Sequence, residues 1–386
     1  MSTNSKRVLI TGARAPVTLH FCRLLAESGM VVYTADSIPY ALTKTSNSVQ
    51  EFFLYPSPKF ETKQWLEILI QYIKKNKIDL LIPTCEETFY ISKFKEQLSS
   101  YCEVFVDEFV KLDLLHNKYK FIRFIREIGL KAPKTYLLSE TYNMSNLRTT
   151  FLTKKLVLKK VFSRFSDGVH FLNNIDELPE KMPKTSSTSW IIQEKVDGEQ
   201  YCSYSIAKNG ELVAHSIYRS EFTAGLGATL SFENIDNEEI EAFIRQVVKK
   251  LSFTGQISFD FIMNQDGVPI PIECNPRTTS GLHLFDEDLG LIFQNNLSKK
   301  ITPKSGRKEA IKLGICIYGL SQITSPNRFR RIVQILFSFK DITFRKNDPK
   351  PFFYQFISMY QFWKESKKSN LNVISQSTID INWDGE

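Results

Sequence analysis

The chain has 386 residues, 42% of them hydrophobic and 24% charged, with a formal charge of +8. This is the make-up of a folded protein and excludes long disordered spans; the length suggests two or three domains at about 150 residues each. The six cysteines, Cys22, Cys85, Cys102, Cys202, Cys274 and Cys316, stand singly with no CxxC pair, which argues against structural zinc and for a reducing, cytoplasmic compartment.

No apolar run approaches the roughly 20 residues of a membrane span, and the start of the chain lacks a signal-peptide core. Lys and Arg are spread along the chain, not gathered in one basic block, so neither a membrane nor a nucleic acid is an expected partner.

Arg7–Thr11 is a short apolar run ending at Gly12, Val17–Ala26 has helical periodicity, and Met30–Thr34 is a second apolar run closed by Asp36. The pattern predicts a βαβ opening. An acidic residue about 20 positions past a glycine turn fits a dinucleotide site, but the turn continues Ala13-Arg14-Ala15-Pro16, without the further glycines that let a pyrophosphate approach. NAD is therefore not expected. A further strand is predicted within Ile78–Glu87. Glu86 and Glu87 then stand at the ligand edge of a parallel sheet, or form the acidic first turn of the next helix.

From Leu112 the chain changes character. Asn117 is a good cap for a helix from Lys118 to about Ile128, stopped by Gly129 and Ala132-Pro133. On this reading Lys118 is an ordinary first-turn lysine. Leu156–Lys160 is a β-run with Val157 and Lys159 on one face and Leu158 and Lys160 on the other, followed by the loop Val161–Gly168. Ser163, Ser166 and Gly168 can offer donors to phosphate oxygens there, and Arg164 a guanidinium fork. Ser189–Val196 is a strand ending at Asp197-Gly198, and Glu199–Ala207 restarts as another. Asn209-Gly210 marks a second hairpin, Gly225 and Gly227 a loop, and Asp236–Leu251 an amphipathic helix.

That helix delivers the chain to GQISFDFIMNQDGVPIPIECNPR, residues 255–277. Ile257–Met263 and Val268–Cys274 flank Asp266-Gly267, a tight hairpin signal. A two-residue turn pairs Gln265 with Val268 and, counting outward, sets Asp260 opposite Glu273. Opposed Cβ atoms lie about 5 Å apart, and like charges there destabilise a sheet, so the pair asks for a cation or a shared proton. Alternation puts Asp260, Glu273 and Asn275 on one face, with Arg277 just beyond the strand. Oxygen ligands without His or Cys suit Mg²⁺, which completes its shell with water and substrate phosphates. The same spacing also describes an ordinary solvated hairpin. His283 is either a base or, lacking a visible partner, structural. After residue 300, Arg328–Ser338 and Phe352–Trp363 read as helices whose apolar spacing serves packing.

Glu273-Cys274-Asn275-Pro276-Arg277, preceded by the acidic Asp260 and a short turn, resembles the metal-binding signature of the ATP-grasp ligases, especially the branch with carbamoyl-phosphate synthetase and biotin carboxylase. The resemblance covers roughly residues 5–300. It implies an α/β and α+β chain: a Rossmann-like domain over 1–110, an ATP-grasp domain over 111–300 with a lid at about 134–196 and a metal-site part at about 197–300, and a helical extension over 301–386. It further implies that Asp260, Glu273 and Asn275 hold Mg²⁺, with Mn²⁺ as an alternative, on the phosphates of ATP. By the same resemblance Lys118 and Lys159 reach those phosphates, Ser166 and Gly168 belong to the loop folding over them, Glu194 and Val196 present backbone groups to adenine, and Glu199 takes the ribose. Arg277, with Lys159, serves the reacting centre.

The activity so implied is an ADP-forming carboxylate–amine ligase that makes an amide or peptide bond through an acyl phosphate. Small-molecule carboxylates and amines, amino acids first among them, are the expected substrates, and a homodimer is left open. A carboxyphosphate-forming enzyme is the alternative, as is a non-catalytic nucleotide-binding regulator.

Overall fold

The computed structural model describes residues 5–138, 143–151, 154–164, 168–179, 189–224, 227–294 and 299–385. Five strands open the chain: β1 (Arg7–Thr11), β2 (Val31–Asp36), β3 (Glu51–Leu54), β4 (Leu80–Ile82) and β5 (Glu103–Val104). They are parallel, in the order β3-β2-β1-β4-β5. Alternation along β1 sends Val8 and Ile10 into one core with Phe21, Leu24 and Leu25 of the helix Pro16–Glu27, and Leu9 into another with Trp65, Leu69 and Ile73 of the helix Thr62–Asn76. Both faces are covered, which is why these strands read as unbroken apolar runs.

Strand order reverses at β1, so the carboxyl ends of β1 and β4 frame a crevice. Gly12 leaves β1 there with φ +76°, and a Cβ on it would lie 2.5 Å from Thr84 Oγ1 and 2.9 Å from Cys85 Sγ. The glycine is demanded by the close packing of two loops.

Next come β6 (Thr135–Leu138), β7 (Leu156–Lys160), β8 (Val169–Leu172) and β9 (Trp190–Glu194), an antiparallel sheet in the order β6-β9-β7-β8. Leu156, Leu158 and Ile192 bury its inner face against Leu147 and Phe151 of the helix Met144–Phe151. The larger part contains β10 (Glu199–Lys208), β11 (Glu211–Arg219), the short pair β12 (Thr223–Ala224) and β13 (Ala228–Thr229), β14 (Ser231–Ile235), β15 (Gly255–Met263), β16 (Pro269–Asn275), β17 (Lys308–Ala310) and β18 (Lys340–Asp341). Seven of these form one sheet, β16-β15-β10-β11-β14-β17-β18. Phe121 of the helix Lys118–Glu127 and Phe243 of the helix Glu238–Leu251 both pack on Phe259 of β15, each at 6.0 Å between ring centres. This seats Lys118 over the end of the hairpin.

The hairpin itself differs from the expected two-residue turn. Met263 opposes Pro269, the Asn264 N–H donates to the Val268 carbonyl at 3.1 Å, and Gly267 has φ +72°, so the connection is the three residues Gln265–Gly267. That shifts the register by one near the turn. A bulge then restores it, because Phe261 opposes Pro271 while Asp260 opposes Glu273, leaving Ile272 as the extra residue. Pro269 and Pro271 lie on the edge strand, where a missing N–H is tolerated.

Beyond residue 300 the helices Pro326–Ser338 and Lys350–Ser369 span the two expected helical patches. The region also supplies β17 and β18, so it is woven into the seven-stranded sheet. Among the described residues no helix is long and apolar enough to cross a membrane.

Candidate functional site

Lys118 begins its helix because the Asn117 side chain caps it, accepting from the backbone N–H groups of Tyr119 and Lys120. Its side chain is buried, yet Nζ lies 3.5 Å from Glu273 Oε1 and donates to the Ser163 carbonyl at 3.3 Å. A buried ammonium needs such partners.

Asp260 faces Glu273 across the β15–β16 ladder, and Ser258 faces Asn275 two residues along, so all four side chains share one face. Burial and the neighbouring Glu273 charge push the Asp260 carboxyl up to about 6. Two opposed carboxylates in a buried site raise one another in this way. Among the described residues no three His, Cys, Asp or Glu side chains are grouped to hold a metal; the set here is two carboxylates and the Asn275 amide. This all-oxygen set, with Asp260 held against its own ionisation, fits a hard divalent cation such as Mg²⁺.

Lys159 is buried on β7 and donates to Gln193 Oε1 of β9 at 2.9 Å. Burial lowers its ammonium to about 8, against the pull of Glu273. Arg277 stands past β16, with Nη2 donating to Asn275 Oδ1 at 3.2 Å and Nη1 to the Thr278 carbonyl at 3.3 Å. The fold therefore gathers Lys118, Lys159, Asp260, Glu273, Asn275 and Arg277 into one cluster from four elements and the segment after β16.

Gly168 has φ +68°, and a Cβ on it would lie 2.7 Å from Lys160 Cε. Ser166, like Gly225, lies outside the described residues. The Glu194 N–H is taken by the Lys134 carbonyl at 2.9 Å, and its carboxylate by Lys154 and the Lys134 N–H. Its backbone donor is thus spent on the sheet, which leaves the Glu194 carbonyl as the backbone group it could present. Val196 follows β9, half-buried. Glu199 is exposed at the start of β10, where its carboxylate accepts from the Tyr201 hydroxyl at 2.8 Å and pairs with Arg219 at 3.4 Å.

Other roles were not legible in advance. Glu87 Oε1 accepts from Thr11 Oγ1 and from the backbone N–H groups of Thr84 and Cys85, stapling the β1 and β4 loops together. Glu86, fully buried, instead faces the crevice with Oε1 2.5 Å from Arg164 Nε and 3.8 Å from Arg277 Nε. Arg164 had the sequence of a phosphate contact, and no spacing signal joins it to Glu86. His283 Nδ1 meets His20 Nδ1 at 3.1 Å. Burial holds His283 down to about 3 and His20 far below its ordinary value, so His283 is a neutral structural residue with a partner 263 positions away.

Residues 115–281 match the family model for an ATP-grasp domain. A curated carbamoyl-phosphate synthase of Methanobrevibacter smithii is 23% identical over 229 residues, covering 56% of this chain and 60% of that protein. The chain spans about half the length of the curated relatives it matches. The crystal structure of an L-amino acid ligase from Bacillus licheniformis is similar at TM-score 0.58 and 16% identity, covering 77% of this chain and 75% of that one. An N5-carboxyaminoimidazole synthetase from Staphylococcus aureus is similar at TM-score 0.61 and 11% identity, over 83% of this chain and 86% of the other. At such identities the likeness is one of fold.

Proposed function

We propose that the chain, whose residues 115–281 match the family model for an ATP-grasp domain, is an ADP-forming ligase joining a small-molecule carboxylate to an amine. The observation that carries this reading is the direct opposition of Asp260 and Glu273, with Asn275 on the same face and Lys118 3.5 Å from Glu273.

In the proposed reaction a carboxylate oxygen of the substrate attacks the γ-phosphorus of ATP. The bond to the β–γ bridging oxygen breaks and ADP leaves. The amine nitrogen then attacks the acyl carbon of the acyl phosphate, phosphate departs, and the nitrogen loses a proton. Such phosphoryl transfer is chiefly positioning and neutralisation of spreading negative charge, so no protein nucleophile is needed.

Asp260, Glu273 and Asn275 would hold Mg²⁺, which neutralises phosphate charge when bound. Lys118 and Lys159 reach the phosphates as fixed cations, and the low exposure of both keeps that charge out of water, where it acts more strongly. Arg277, braced by Asn275 and Thr278, presents its planar fork to the reacting carboxylate or phosphoryl group. Gly168 and Ser166 belong to the loop over the phosphates; the Glu194 carbonyl and the Val196 backbone serve adenine, and Glu199 the ribose.

Amino acids are the preferred substrates, supported by the likeness to an L-amino acid ligase. A carboxyphosphate-forming activity is the second reading, favoured by the likeness to carbamoyl-phosphate synthase and N5-carboxyaminoimidazole synthetase. The test is ADP and phosphate release with Mg²⁺-ATP over pools of amino acids and other carboxylates, with mass spectrometry of the products. A new amide mass independent of bicarbonate is the expected result. Turnover that requires bicarbonate would transfer support to the second reading, and tight nucleotide binding with no turnover in any pool would leave a nucleotide-binding regulator.

A further inference from the structure

The segment Ser377–Asp384 folds back across the carboxyl edge of the parallel sheet as a strap. Arg14, in the turn after β1, is clamped between Asp36 and Asp380. Its Nη2 lies 2.5 Å from Asp36 Oδ1, while Nη1 and Nη2 donate to the two oxygens of Asp380 at 2.6 and 2.7 Å. Three residues on, Trp383 is buried against Phe89 and Phe109, and the Lys93 ammonium sits 4.1 Å from its ring centre. One charge clamp and one aromatic seat therefore fix both ends of a short backbone stretch.

What that stretch holds is Glu86. The Trp383 backbone N–H donates to Glu86 Oε2 at 2.9 Å, while Oε1 carries the contacts to Arg164 and Arg277. Two guanidinium groups converging in a buried crevice need a carboxylate between them, and a fully buried carboxylate needs its remaining oxygen satisfied. The strap meets the second need. Directly past the strap the chain reaches the loop after β7, since a Cβ on Gly385 would lie 2.7 Å from Phe162 Cε2.

We infer that Glu86, held by the strap through the Trp383 N–H, is a positioning residue for Arg277 and Arg164, which makes Ser377–Asp384 a working wall of the reaction cleft. The inference rests on the reading of Arg277 given under Proposed function. Glu86 touches no reacting atom. It sets the orientation of the guanidinium that does, so its loss acts on turnover while leaving nucleotide binding to Lys118 and Lys159.

The test compares full-length wild type with Glu86→Gln and, separately, Asp380→Asn, which leaves Glu86 intact but cuts the strap from Arg14. Hydrogen exchange over residues 377–385 is expected to quicken by more than about tenfold in Glu86→Gln, the scale of a lost hydrogen bond to a charged group. Turnover should fall about 100-fold, as for a misplaced reacting group, with nucleotide affinity within about threefold. Adding Arg277→Lys to Glu86→Gln should cost little more, because both act through one guanidinium. Asp380→Asn should shift exchange and turnover the same way by less, and it decides the matter if Glu86→Gln does not fold.

Unchanged strap exchange, turnover within about threefold of wild type, or independent multiplication of the Glu86 and Arg277 effects would overturn the inference. A wild-type protein that turns over nothing removes the ligase reading instead. The positioning link is then decided by exchange and by the ¹⁵Nε–H signals of Arg164 and Arg277, which move in Glu86→Gln if the link exists and stay fixed if it does not.

Discussion

Asp260 and Glu273 stand directly opposite each other on β15 and β16, although the turn that joins those strands is one residue longer than its sequence suggests. The longer loop displaces the register, and the bulge at Ile272 displaces it back. Between the bulge and the strand end the ladder is where a two-residue turn would have put it. The carboxylate pair therefore survives with its charges uncompensated by any neighbour on the opposing strand.

Glu273→Gln keeps the shape of this pair and removes one of its charges. Turnover should drop about 100-fold or more, in line with deletion of one electrostatic element of an active site, and the Mg²⁺ concentration needed for half-maximal rate should rise. Because the Glu273 charge is one of the causes that hold the Asp260 carboxyl up near 6, Asp260 should titrate lower in the variant. Carbon-13 detection of the Asp260 carboxyl reads that directly. Wild-type turnover together with an unmoved Asp260 titration would take the cation site away from this hairpin.

Arg277→Lys tests the fork. The guanidinium reaches Asn275 with one nitrogen and the Thr278 carbonyl with another, and a single ammonium cannot hold both while facing a ligand. Turnover about 100-fold down with nucleotide affinity unchanged is the expected split. A variant at wild-type rate would place the reacting cation elsewhere.

What could be read in the sequence was whatever lies close along the chain. The Asn117 cap, the alternation that aligns Asp260, Glu273 and Asn275, and the βαβ opening are all settled by neighbours within one or two turns of backbone, and each stands in the structure. Glu86 shows the limit. Its partners are Arg164, Arg277 and a backbone N–H 297 positions away, and no local periodicity encodes such a meeting. The pairing of His20 with His283 is hidden for the same reason. Gly12 teaches something different: the missing further glycines already argued against a pyrophosphate at this turn, but only the approach of Thr84 reveals the loop that the glycine accommodates instead.

Lys159 predicts a pH dependence. Burial lowers its ammonium from an ordinary 10.5 to about 8, so between those values the unfolded chain binds a proton that the folded one does not. This group's contribution to stability accordingly rises with pH across that window. Nucleotide binding runs the other way: phosphate charge favours the protonated lysine, so binding above pH 8 takes up a proton and affinity falls as pH rises. Nucleotide titrations from pH 7 to about 9.5 should show that fall in wild type and a flat profile in Lys159→Arg, whose charge persists throughout. Identical profiles in the two proteins would remove Lys159 from the phosphates.

Asp348 predicts a pure stability effect away from the cleft. Its carboxylate accepts from Arg23 Nε at 2.9 Å and from Ser46 Oγ at 2.7 Å, while the Arg23 fork also binds the carbonyls of Ile342 and Thr343. Arg23 is fully buried in the helix Pro16–Glu27, and these bonds tie the opening sheet's helix to the segment after β18. Asp348→Ala would leave a buried guanidinium without its counter-charge, a change that costs about 3–5 kcal/mol. Urea unfolding should show the unfolding free energy lowered by that amount, as an earlier midpoint with the slope unchanged, while nucleotide affinity at low temperature stays at the wild-type value because none of these residues faces the site. Asp348→Asn should recover part of the loss by keeping an acceptor for Arg23. A midpoint unmoved in Asp348→Ala would mean that the carbonyls of Ile342 and Thr343 are enough to hold the charge.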